Sequence, residues 1–171
     1  MGLFDDIDEA ESSKGGFWFK PGHYRVKLLR VFKKMSRKNV ELLVVETEVL
    51  KTNNPERPVG CKPSQLYPGD KDASPGNIKG FFGVCFATQQ CMNGKFMTPE
   101  QAELKYLTAA KGDAEGKKKV KARCDHAAGE DNPLEDLELN AEVFNVKTKA
   151  GGDYTKVVWS IPEDVAAQAA A

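Results

Sequence analysis

A mainly β chain with a helical insertion between its third and fourth strands is what this sequence predicts, and three observations carry the prediction. Residues 22–33 alternate Tyr24, Val26 and Leu28 with His23, Arg25 and Lys27, the period of two of a half-buried strand. Near the other end Leu137, Leu139, Ala141 and Val143 alternate in the same way with Glu138, Asn140 and Glu142. Between them, Thr98-Pro99-Glu100-Gln101 joins an N-cap, a proline suited to the first helical position and first-turn acidic and amide side chains, which together open a helix.

Taken in order, the first strand loses its clean alternation after Leu29, and a bulge near that residue would exchange its faces. Residues 40–50, rich in Val, Leu and Thr, read as its hairpin partner across a turn at 36–39. A short, irregular third strand fits within residues 59–67, weakened by Pro63 and surrounded by prolines and glycines that mark loop. Residues 77–92 carry Ile78, Phe81, Phe82, Val84, Cys85 and Phe86, which suit a buried helix better than so long a strand. Residues 111–128 read as a helix, or as a strand about Val120, with the helix preferred. The fourth strand runs to about Thr148, and Gly151-Gly152 supply the positive φ that turns it into a fifth over residues 154–161.

That order matches a five-stranded oligonucleotide-binding (OB) barrel with helices between strands 3 and 4, although a split sandwich or mixed α+β fold can be written from the same string. The expected division is an acidic flexible arm (1–16), a single OB-like domain (17–162) and a disordered or frayed helical tail (163–171). A chain of 171 residues is long enough for one core and short for two.

Its 25 basic and 25 acidic residues cancel, so attraction for a polyanion must come from local segregation of charge. The segregation is plain. Asp5, Asp6, Asp8, Glu9 and Glu11 stand without a cation among them, whereas residues 14–38 hold nine Lys and Arg and no carboxylate. A second basic block at 117–123 precedes a second acidic one at 130–142. The acidic N-terminus is unlike a secretory signal, and no stretch approaches the roughly 20 apolar residues that span a bilayer. A cytoplasmic protein with no membrane association and four reduced cysteines is expected.

In the first basic block the cations interleave with Phe17, Trp18, Phe19, Tyr24 and Phe32, and in the last hairpin Lys147, Lys149 and Lys156 accompany Tyr154 and Trp159. Cations track a phosphate backbone and exposed rings stack on bases, so this interleaving suits a single-strand groove. Tyr24, Phe32 and Trp159 read more plainly as core. The candidate nucleic-acid-binding set is therefore Trp18, Lys20, Arg25, Lys27, Lys147, Lys149, Tyr154 and Lys156. Lys79 joins it as a phosphate contact at a helix start.

Phe4, Asp5, Asp6 and Asp8 mix apolar and acidic side chains and form a candidate partner-binding motif, against the plainer reading of a solubilising terminus. No metal or cofactor is expected, since Cys61, Cys85, Cys91, Cys124 and His126 lack metal-ligand spacing. Nor is an enzyme: Glu103-x-Lys105, the tail of a nuclease motif, falls on the helix opened by Thr98, where a strand would be needed.

Two segments, Phe19-Lys20-Pro21-Gly22-His23-Tyr24-Arg25-Val26-Lys27 and the run from Asn145 through Lys147-Thr148-Lys149-Ala150-Gly151-Gly152 to Trp159, resemble bacteriophage OB-fold single-stranded-DNA-binding proteins of replication and recombination. The resemblance covers the first and last strands only; residues 55–136 match nothing in it. It implies a barrel that coats single-stranded DNA without sequence preference, through the cations of those two strands. Replication or recombination proteins would then be partners of the acidic arm, and a homo-oligomer is a further possibility. The competing class is a virion structural or assembly protein making protein–protein contacts.

Overall fold

The structure, a computed structural model, describes residues 18–171. Five strands, β1 (Gly22–Met35), β2 (Glu41–Thr52), β3 (Ser64–Pro68), β4 (Glu138–Lys147) and β5 (Asp153–Ser160), form one antiparallel sheet in the order β3-β2-β1-β4-β5. Between β3 and β4 stand α1 (Ser74–Met92), α2 (Pro99–Tyr106) and α3 (Ala114–Ala127); α4 (Glu163–Ala170) follows β5. The mainly β arrangement with its helical insertion is the one the alternation predicts.

In β1, Tyr24, Val26, Leu28 and Val31 are buried, and pairing steps from Leu28 opposite Thr47 to Arg30 opposite Glu46. Leu29 is the extra residue, at the place where the apolar phase slips, so the bulge lets one strand keep its apolar side inward through a change of register. The uncertain segment at 111–128 is helical, with the Asp113 carboxylate capping α3 by accepting from Gly116 N. Thr98 and Gln101 form the reciprocal capping box of α2.

The sheet is open among the described residues: β3 and β5 are its edges and no ladder joins them, so the expected barrel is not closed by backbone pairing. β3 has only five residues, with Pro63 before it and Pro68 at its end, and proline brings no N–H to a closing ladder. Side chains meet there instead. Trp159 Nε1 of β5 donates to Tyr67 Oη of β3 over 2.8 Å, and Phe19 meets the Trp159 ring edge-on at 6.0 Å. Phe81 of α1 lies 5.2 Å from Trp159 and 6.4 Å from Tyr67, so the apolar helix fills the space beneath the converging edges.

α2 fits closely on α1 at Gly83, where an added Cβ would come within 2.7 Å of Glu103 Cγ and 3.2 Å of Pro99 O. α3, by contrast, buries only Ala127 and is tied to the end of β1 by Lys33 Nζ to Asp125 Oδ1 at 2.9 Å. α4 is fastened at its first turn by Arg25, whose Nη1 lies 2.8 Å from Asp164 Oδ1. No helix among the described residues is long and apolar enough to cross a membrane.

Candidate nucleic-acid interface

Arg25 and Lys27 of β1 point outward as the alternation requires, but carboxylates hold them. Arg25 Nε lies 2.9 Å from Glu138 Oε1 while the same guanidinium grips Asp164, and Lys27 Nζ lies 3.3 Å from Glu48 Oε2. The hydrogen bonds that Arg25 donates to Asp164 lower the pKa of that carboxyl and raise the pKa of the guanidinium. Lys20 is spent in the same way on Glu56, whose carboxyl pKa is lowered by that hydrogen bond. A cation already neutralised at close range has little charge left for a phosphate, so β1 does not form the open basic face expected of it.

Trp18 is half exposed, but it lies by the β3 edge, bridged to Ser64, with its carbonyl accepting from Arg57 Nε at 2.6 Å. Buried Arg57 thus pins the segment that leads into β1, a role the sequence reading missed. Lys79 stands in the second turn of α1, because the helix starts at Ser74 and not at Asn77, so it is not at the helix N-terminus expected for a phosphate contact. Phe4, Asp5, Asp6, Asp8 and Phe17 lie outside the described residues.

The remaining candidates come together. β1 pairs with β4 only as far as Gly22 opposite Val143, while β4 and β5 continue to Lys147 opposite Asp153, so the end of this hairpin projects as a two-stranded ribbon. Register puts Phe144 opposite Lys156 and Val146 opposite Tyr154, all four on one face. Phe144 is 38% and Tyr154 47% exposed, diagonal neighbours about 7–8 Å apart at the backbone with Lys156 beside both. Lys147 closes the ladder on the opposite face and Lys149 sits in the tip, held by Thr148 N to Gly152 O at 2.7 Å with Gly151 at φ 85°. Lys147, Lys149 and Lys156 form no ion pair among the described residues.

Trp159, one residue beyond this face in phase, is buried at the seam, and Tyr24 is buried with its Oη donating to Lys20 O at 2.6 Å. Phe144 was not among the sequence-derived candidates. Its signal was available: it extends the polar phase Glu138, Asn140, Glu142, where a ring has no core to enter.

No group of three or more His, Cys, Asp or Glu side chains among the described residues is placed to hold a metal ion. Glu103 and Lys105 lie on α2, and Cys85, fully buried in α1, has its thiol pKa pushed up by desolvation, away from the reactive thiolate. No protein-family model matches this chain, and no curated protein matches it in sequence.

Proposed function

We propose that the protein binds single-stranded DNA without sequence preference, and that the projecting β4–β5 ribbon is its principal contact. The observation that carries this reading is the pair of exposed rings, Phe144 and Tyr154, on one face around Lys156, with Lys147 and Lys149 unneutralised at the tip. Rings of this kind accept any base by stacking, and the lysines follow the backbone, which together give affinity without a base code. The strand order supports an OB-like barrel whose seam between β3 and β5 is filled by Phe19, Tyr67 and Trp159 in place of a ladder. The resemblance of the Lys147–Gly152 segment to phage single-strand-binding proteins of replication and recombination agrees with the same location. The contact set is smaller than the sequence suggests, since Lys20, Arg25 and Lys27 serve structural ion pairs.

A Phe144→Trp reporter tests the proposal on the proposed face itself. Oligo-dT should quench its fluorescence at low salt and added salt should restore it. An unchanged signal would overturn the reading. If sedimentation then showed self-association, the ribbon and the unpaired outer edge of β5 would instead be protein-contact elements of an assembly protein.

A further inference from the structure

A cleft of about 470 Å³ opens between α1 and α3, with buried Leu134 and Ala127 among its lining. Phe86, Gln89 and Gln90 stand at i, i+3 and i+4 on α1, and Ala122, Arg123 and His126 at i, i+1 and i+4 on α3, so one face of each helix lines it. α3 buries only Ala127, so the two helices do not close on each other and the space between them stays open. Tyr106, at the end of α2, and Pro133 complete the wall.

Three kinds of group meet there. Phe86, anchored by stacking on Phe82 at 5.8 Å, meets Tyr106 edge-on at 5.8 Å and gives the cleft aromatic walls. Two amides stand beside them: Gln89 Nε2 donates to Pro133 O at 3.4 Å, and the Gln90 amide has no hydrogen-bond partner among the described residues. Arg123 lies 5.2 Å from the Tyr106 ring centre and its Nη1 donates to Tyr106 O at 3.0 Å, which fixes the guanidinium at the exposed edge with His126. Arg123 forms no ion pair among the described residues, and no carboxylate lines the cleft. Flat aromatic walls take a flat ring, a primary amide offers both a donor and an acceptor to a ring edge, and unneutralised cations take an anion. A nucleotide satisfies all three at once; a purely apolar ligand would cover the amides without pairing them.

We infer that the α1–α3 cleft binds a nucleotide, its base against Phe86 and Tyr106 within reach of the Gln90 amide, and its phosphate toward Arg123 and His126. A free mononucleotide and the phosphorylated end of a strand both supply that chemistry. None of these residues belongs to the ribbon, so the cleft does not depend on the ribbon's reading.

The test is calorimetric titration of the full chain with AMP, adenosine and inorganic phosphate. AMP should bind saturably, adenosine at least about tenfold more weakly, and phosphate alone without measurable heat at the same concentrations. Arg123→Gln should bring AMP to the level of adenosine and leave adenosine unchanged, while Arg123→Lys should keep most of the preference for AMP. Ala122→Trp, on the exposed side of α3, should fill the mouth and abolish binding of both, with circular dichroism and melting temperature unchanged. The ribbon variant Phe144→Ala/Tyr154→Ala should bind AMP as the parent does, so the failure of one site is distinguishable from the failure of the other. In that variant, displacement of AMP by 5′-phosphorylated oligo-dA assigns the cleft to a strand end, and AMP binding without displacement assigns it to a free nucleotide. No saturable AMP binding, equal affinity of the parent for AMP and adenosine, or undiminished AMP binding by Ala122→Trp would each overturn the assignment.

Discussion

Tyr67 and Trp159 join strands that share no ladder, and their hydrogen bond is buried. Tyr67→Phe would leave the indole N–H without an acceptor in an apolar seam, which costs about 1–3 kcal/mol. A urea midpoint shift of that size, with an unchanged m-value, is the expected result. Asp164 supplies a pH-dependent contact at the same scale. Its folded pKa lies below the ordinary carboxylate value because Arg25 donates to it, so its contribution is complete above about pH 4 and disappears as pH falls through the lowered folded value. Asp125 follows the same sign through Lys33. Proteolytic susceptibility of α4 should therefore rise modestly below about pH 4, and Asp164→Asn should raise it slightly at neutral pH and remove this part of its pH dependence. The sequence located these cations correctly on the outer face of β1 but not their fate, because Glu138 and Asp164 lie more than 110 residues away and alternation carries no information about cross-strand partners.

Among elements, local signals were legible where one side chain's chemistry decides the backbone. The bulge at Leu29, the capping box at Thr98 and the turn at Gly151 each follow from residues within a few positions. The start of α1 and the length of β3 depend instead on packing against distant strands, and both differ from the sequence reading by several residues. Gly83 marks such a packing constraint. Alanine ordinarily strengthens a helix interior by about 1 kcal/mol over glycine. Here its methyl would press on Glu103 and the Pro99 carbonyl, so Gly83→Ala should lower the melting temperature, with α2 the element displaced. The ribbon was half legible: Tyr154 and Lys156 follow from hairpin phase, and Phe144 stands in the polar phase of β4, whereas its place on a projecting ribbon follows only from β4 outrunning β1.

On the scale of the whole molecule, a chain of zero formal net charge can attract a polyanion only through the placement of its charges. The structure consumes some cations in holding α3 and α4 to the sheet and leaves others open on the ribbon and on α3. That partition gives a quantitative expectation. If Lys20, Arg25, Lys27, Lys147, Lys149 and Lys156 all neutralised phosphates, log K for single strands would fall with log salt at a slope of about −4; the three open lysines of the ribbon give about −2. Truncating its two rings should cost about 1–3 kcal/mol each. The most direct measurement is the salt-dependent affinity of labelled oligo-dT for the parent and for Phe144→Ala/Tyr154→Ala. The account predicts a parental slope near −2 and a variant at least tenfold weaker with that slope preserved; equal affinity of the two proteins would contradict it.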